Sequence, residues 1–348
     1  MKLLVTGGSG YFGCALRRLL HERGHDVRSF DLVSSDDLAG GESFVQGDIR
    51  DLDAVRRACR GIEIVHHNVA QVPLAKDRHL FKSVNVQGTE NLLQAAHEAG
   101  VRKVVYTSSS AVFGVPERNP VTEDMTPRPQ EAYGRAKLEG EHRCRAWVER
   151  GLDVSIVRPR TILGHGRLGI FQILFEWIRI GSNIPVLGHG DNLYQFVHAD
   201  DLGEACRLAG ERAGPAVYHC GTDRFGSMRS ALEALCAHAG TGSRVRSVPM
   251  RPAVLAMQLT SALGLSPLGP YHALMYGRSM YFDLRKIAQE LAWKPRWSND
   301  EMLRESYDWY LAHRAGVLQR SGSSHHRSAV RQGVLALMRR PRIRCPSR

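Results

Sequence analysis

The chain has 348 residues, 43% of them hydrophobic, and a formal net charge of +12. That length suffices for a large core in one intimate unit or two lobes. No apolar run reaches the roughly 20 residues of a membrane span, and the chain enters a strand at once, so we expect neither a membrane span nor a secretory signal. Seven scattered cysteines (14, 59, 144, 206, 220, 236 and 345) contain no CxxC pair, and the sixteen histidines show no HExxH or Cys/His ligand spacing. Reduced thiols, a cytoplasmic location and no metal site are the expectation. Much of the positive charge sits in nine arginines, unaccompanied by any acid, from Arg314 to Arg348. No nucleic-acid motif or interleaved aromatics go with it, so no nucleic-acid partner is implied.

The first element is the apolar strand over 2–6. Thr6-Gly7-Gly8-Ser9-Gly10-Tyr11-Phe12-Gly13 follows and leads into the helical pattern Cys14 to Leu20. Glycine supplies positive φ in a tight turn and leaves no Cβ in the way of a pyrophosphate. The next helix start offers N–H groups and a positive dipole end. A second strand, 27–31, ends in Asp31, about 20 residues past the glycines, where the dinucleotide fingerprint places an acid. A carboxylate there accepts from ribose hydroxyls and repels a 2′-phosphate, which favours NAD over NADP. Phe44 to Asp51 reads as a third strand, with Asp48 within reach of an adenine amino group. A helix over 51–59 and a fourth strand over 62–67 follow, and Asn68 to Gln71 forms the exit turn.

Asn85 opens a long helix closed by Gly100, and 101–107 is the fifth strand. Ser108-Ser109-Ser110 stands at its carboxyl end. After a proline-rich loop, Tyr133-Gly134-Arg135-Ala136-Lys137 begins a helix that runs to about Arg150. Residues 154–159 and 216–220 are further strands. The alternation of strands and helices argues for an α/β, Rossmann-type doubly wound parallel sheet with a smaller mixed α/β lobe. Tyr133 and Lys137, four residues apart, share one helix face. A phenol with its ordinary pKa near 10 is a poor base, and an adjacent ammonium favours the phenolate. Such a pair can exchange a proton with a substrate hydroxyl while a nicotinamide exchanges a hydride. A serine at the neighbouring strand end can bond the same oxygen.

TGGSGYFG, YTSSSAVFG and YGRAK resemble the extended short-chain dehydrogenase/reductase family, also called the NAD-dependent epimerase/dehydratase family, over residues 1–313. The resemblance implies that Ser109 is the catalytic hydroxyl, Tyr133 the acid/base and Lys137 its partner. It also implies cofactor contacts at Gly7, Gly10, Tyr11, Phe12, Gly13, Asp31, Asp48, Ile49, Val69, Ala70, Asn85, Lys137 and Pro159, and a homodimer formed through the helices near Asn91 and Lys137. Ser108 and Ser110 stay open as alternatives to Ser109. Residues 1–165, completed by 194–200 and 216–220, would be the NAD-binding domain, 166–313 mainly the substrate lobe, and 314–348 a basic tail, with weak membrane-surface contact as one role for it. Leu193 to Leu202 matches the family's FVHxDD segment, read as a buried strand and a helix capped by Asp200 or Asp201.

Departures from the family pattern bear on substrate. Ser110-Ala111 stands where dehydratases carry an Asp-Glu pair and decarboxylases a glutamate. Thr161, Tyr194 and the stretch 249–276 replace groups that hold the diphosphate and uridine of sugar nucleotides, although Arg158, Arg160 and Arg167 could meet phosphate. The replacement stretch includes an uncharged helix over 253–263 and resembles the insertion of 3β-hydroxysteroid dehydrogenase-like members. It would either wall an apolar pocket or pack as core or an oligomer face. The expected activity is therefore an NAD-dependent dehydrogenase/reductase on a lipid-like secondary alcohol or ketone. A nucleotide-sugar epimerase with tightly bound NAD is the alternative, and a non-catalytic dinucleotide sensor the alternative of another class.

Overall fold

The computed structural model describes residues 1–35, 41–71, 78–263 and 275–319. Contacts divide the chain into two compact units: 1–162 with 196–223 and 281–297, and 163–195 with 224–280 and 298–348.

The first unit is built on a parallel sheet of seven strands. We label β1 (Lys2–Thr6), β2 (Asp26–Asp31), β3 (Ser43–Gln46), β4 (Ile64–His67), β5 (Lys103–Thr107) and β6 (Val154–Pro159); the seventh strand is Ala216–Cys220. Its order is Ala216–Cys220, β6, β5, β4, β1, β2, β3. The helices are α1 (Tyr11–Glu22), α2 (Leu52–Cys59), α3 (Arg78–Lys82), α4 (Gly88–Glu98) and α5 (Ala132–Glu149). The strands are apolar on both faces because both faces are covered. Leu4, Val65 and Val104 enter one core with Val55, Leu92 and Trp147 from α2, α4 and α5. Leu3, Val5, Ile64 and Val105 enter the other, with Leu16 and Leu20 of α1 and Leu202 of the Ala199–Glu211 helix. The order of connection reverses between β1 and β4, and a crevice opens beyond the carboxyl ends of strands at such a point.

The second unit pairs Ile184–Leu187 with Val245–Val248 in parallel and Leu193–Tyr194 with Gly226–Ser227 antiparallel. Helices Ile170–Arg179 and Asn299–Gln319 meet through Phe175, Tyr307 and Tyr310. The Tyr310 hydroxyl donates to Glu176 at 2.9 Å.

Several local expectations are corrected. The third strand stops at Gln46, because Gly47 lies against the Phe30 ring and the chain turns so that Asp51 caps α2 through Asp53 N and Ala54 N. Asn85 does not open a helix. It sits in a wide π-type turn, Ser83–Gln87, inside a helical run that starts at Arg78. Phe81, Asn85 and Gly88 already show helical spacing of buried positions there. The Ala199–Glu211 helix is capped by His198, whose ring nitrogen accepts from Asp200 N at 3.1 Å. Asp200 instead pairs with Arg18 at 2.9 Å, and buried Asp201 accepts from Arg296 N and Trp297 N. The insertion helix is Met250–Ala262, and Leu255 and Leu259 on it, with Leu263 just beyond its end, are exposed, not core. The Asn299–Gln319 helix extends past the expected lobe boundary at 313, while residues 320–348, with the expected membrane contact, lie outside the described residues. Among the described residues no helix is long and apolar enough to cross a membrane.

Gly140 lets α5 lie directly on β5, since a Cβ there would run into the Tyr106 hydroxyl. Gly140→Ala is expected to cost about 1–3 kcal/mol by overpacking, read as a lower midpoint in urea. An unchanged midpoint would contradict this packing.

Candidate active site

The turn after β1 is shaped by close backbone approach. Gly7 has φ +69, and a Cβ there would crowd Val69 N at 3.0 Å, so this turn lies against the exit loop of β4. A Cβ on Gly13 would run into the Gly7 carbonyl oxygen, which keeps α1 close beneath the turn. Gly10 is the N-cap of α1, and among the described residues α1 has no side-chain cap and no acid in its first turn. Its first N–H groups thus present a surface that suits phosphate. Asp31 accepts from Ser9 N at 3.0 Å and from Leu32 N at 2.7 Å, so its carboxylate is held at the rim of the turn. Burial raises the Asp31 pKa, and those N–H bonds and the charge of Arg17 oppose the rise. Arg17 is buried, donates to the Gly8 carbonyl at 2.8 Å and pairs with Glu42.

The ends of β5 and α5 build the second half. Glu131 caps α5 by accepting from Tyr133 N at 2.7 Å and Gly134 N at 2.5 Å. A Cβ on Gly134 would run into the Ala111 carbonyl, so the helix start rests on the Ser110–Phe113 turn. Tyr133 is half-buried, with the Phe81 ring edge-on at 6.4 Å. One turn on, Lys137 is 2% exposed, and its Nζ donates to the Thr107 carbonyl at 2.7 Å above the Tyr106 ring. Burial pulls its pKa from 10.5 to about 8, against the partial support of Cys144 and Glu141. It is therefore mostly an ammonium at neutral pH.

The three serines have different surroundings. Ser108 is buried and donates to Glu141 at 2.6 Å. Ser110 is buried and accepts from Arg160 at 2.8 Å. Ser109 is half-buried, and its Oγ accepts from Ala111 N at 3.1 Å, leaving its O–H free of that bond. Glu141 is a buried node: Arg158 reaches both its oxygens, at 2.8 and 2.6 Å, and Arg145 one of them at 3.1 Å. Burial disfavours the Glu141 carboxylate, but these bonds bring its pKa below the usual value. Arg158 is thereby committed to Glu141 and is withdrawn from the phosphate role expected for it.

Residues 3–221 match the model of the NAD dependent epimerase/dehydratase family. The chain belongs to that family. It is 54% identical over 336 residues to uncharacterized protein y4nG of Sinorhizobium fredii, spanning 96% of this chain and 85% of that one. It is 30% identical over 346 residues to a 3 beta-hydroxysteroid dehydrogenase/Delta 5-->4-isomerase of Mycobacterium tuberculosis, spanning 89% of this chain and 90% of that one. Among solved structures, the UDP-glucose 4-epimerase of Thermus thermophilus in complex with NAD superimposes with TM-score 0.73 at 27% identity, covering 89% of this chain and 99% of that one. The resemblance to the extended short-chain dehydrogenase/reductase family and the Rossmann-type fold are both borne out.

The remaining positions implied by family membership fall in three kinds of place. Tyr11 and Phe12 are buried in the first turn of α1, and Pro159 is buried at the end of β6. Val69 and Ala70 are half-exposed on the loop that Gly7 touches. The others act locally. Asn85 clasps the Gln71 backbone with both amide atoms, at 2.7 and 3.1 Å, and so shapes that loop. The Asp48 carboxylate is bound by Arg50, which lowers its pKa, and the Ile49 side chain is buried with Gly88 packed against it. Thr107, Glu131 and Glu141 were not singled out in the sequence. Glu141 stands four residues beyond Lys137 on α5, a spacing that could have flagged it.

Lys137 binds its proton less tightly in the native state than in the unfolded chain. From about 8 up to its ordinary 10.5 the unfolded state therefore holds the extra proton, and stability rises with pH across that window. Below it the buried charge carries its full penalty. Lys137→Met is expected to raise the unliganded unfolding midpoint at pH 7, by about 1–3 kcal/mol after loss of the Thr107 bond. The advantage should shrink as pH climbs through that window. A lower midpoint at pH 7 would contradict the assignment of a strained ammonium.

Proposed function

We propose that the chain is an NAD-dependent dehydrogenase/reductase of secondary alcohols or ketones. The observation that carries this reading is the buried Lys137 ammonium, anchored at the end of β5 one helical turn past Tyr133. A buried charge is costly, and a site that retains one commonly uses it. In the oxidative direction Tyr133 takes the proton of the substrate hydroxyl, Ser109 bonds the same oxygen, and Lys137 supports the phenolate and binds ribose hydroxyls. NAD, when bound, would supply the acceptor for the hydride leaving the carbinol carbon.

The glycine turn fits the pyrophosphate, and the first N–H groups of α1 suit its charge. The preference for NAD follows from Asp31 together with Arg17. The carboxylate at the rim repels a 2′-phosphate, and the nearby guanidinium that could attract one is occupied by Glu42. The Met250–Ala262 helix, uncharged from Ala253 onward and with Leu255 and Leu259 exposed on it, favours a lipid-like substrate and the steroid-dehydrogenase-like reading. A second reading, sugar-nucleotide epimerisation, is favoured by the likeness to the epimerase structure. It uses the same three residues. Retention of NAD through purification without net NADH production would select it over the dehydrogenase.

Tyr133→Phe is expected to leave NAD affinity within about twofold and to lower turnover by roughly 10²–10⁴-fold. Ser109→Ala should lower turnover by about 10²–10³-fold. These rates would be read as NADH formation over a panel of hydroxysteroid-like and other lipid alcohols, and as sugar interconversion for the epimerase. Full turnover in Tyr133→Phe would remove it from the acid/base role. Asp31→Ala should shift the ratio of NAD to NADP affinity toward NADP. A wild type that already prefers NADP would overturn the role given to Asp31.

A further inference from the structure

We propose that the side-chain amide of Asn68 donates a hydrogen bond to the dinucleotide, to an oxygen of its pyrophosphate or of its nicotinamide-side ribose. The inference rests on the reading that NAD lies along the glycine turn.

Asn68 is the first residue beyond β4, at the strand's carboxyl end. Its backbone is fixed there, with N donating to the Thr6 carbonyl at 3.2 Å. The side chain is fixed as well. Its Oδ1 accepts from Thr107 Oγ1 at 2.6 Å, which sets the orientation of the amide plane. Its Nδ2 is buried and has no hydrogen-bond partner in the structure. A buried donor without an acceptor costs about 1–3 kcal/mol, so such a group points to an acceptor that arrives with a ligand.

The position says which ligand. On one side, a Cβ on Gly7 would stand 3.1 Å from the Asn68 carbonyl carbon, so the phosphate-shaping turn abuts this residue. On the other, Thr107 links the two halves of the site: its hydroxyl holds Asn68, and its carbonyl holds Lys137. Asn68 thus lies between the turn suited to pyrophosphate and the lysine suited to the nicotinamide ribose. Other buried atoms without partners, Ser29 Oγ, His66 Nδ1 and Ser155 Oγ, lie within strands and not beyond their ends.

The test is calorimetric titration of the full chain with NAD, ADP-ribose and ADP, for wild type, Asn68→Leu and Asn68→Asp. Asn68→Leu removes the donor along with its partner oxygen. Asn68→Asp keeps an acceptor for Thr107 and so guards against a variant that fails to fold; because it also places a negative charge beside the dinucleotide, the size of the donor's contribution is read from Asn68→Leu. Both should bind NAD about 10–100-fold more weakly, the range for a hydrogen bond to a charged or strongly polar oxygen. A loss shared by all three ligands assigns the contact to the pyrophosphate. A loss for NAD and ADP-ribose with ADP unchanged assigns it to the second ribose. Wild-type NAD affinity in both variants, or a loss confined to NAD, overturns the proposal. Failure of the wild type itself to bind NAD would instead overturn the reading on which it rests.

Discussion

Lys137 carries a charge in a place that water does not reach. Its Nζ meets the Thr107 carbonyl at 2.7 Å, the face of the Tyr106 ring at 4.8 Å, and the field of Glu141 one turn further along α5. These contacts offset only part of the desolvation, since its pKa still falls to about 8. Much of the surrounding sequence follows from holding that ammonium in place. Gly140 lets the helix sit against Tyr106, Gly134 lets its start rest on the serine turn, and Glu131 caps it. The pair formed by Glu141 and Arg158 then ties the helix to the end of β6, while Ser108 ties it to β5. A single buried carboxylate therefore fixes α5 against two strand ends, and Tyr133 and Ser109 are placed by the same elements.

The other half of the crevice is held by backbone geometry in place of buried charge. The Gly7 turn and α1 approach so closely that side chains at Gly7 and Gly13 have no room. Arg17 supports the turn from within through the Gly8 carbonyl, and its remaining charge goes to Glu42. One arginine thus both stiffens the glycine turn and has its charge met by Glu42. Thr107 connects the two halves, with Asn68 on its hydroxyl and Lys137 on its carbonyl.

What could be read in advance followed from how local each signal was. The turn 6–13, Asp31 and the Tyr133/Lys137 spacing are short-range patterns with one physical reading, and the parallel sheet follows from the alternation of elements. Long-range partners carried no such mark. Nothing near Ser108, Ser109 and Ser110 says that the first binds Glu141 and the third Arg160, which leaves the middle one at the turn. Asn85 reads as a helix start, yet the helical run begins at Arg78 and the Asn85 amide clasps Gln71. His198 caps its helix because the strand before it ends extended, so the acids that normally signal a cap were free for Arg18 and for the 296–297 backbone.

A crystal structure of the chain with bound NAD should show the pyrophosphate over the Gly7–Gly13 turn, Lys137 Nζ on the nicotinamide ribose, and the Tyr133 and Ser109 hydroxyls on one side of nicotinamide C4, where a carbinol oxygen could bond to both. A dinucleotide seated elsewhere, or a Tyr133 hydroxyl turned away from C4, would contradict this arrangement.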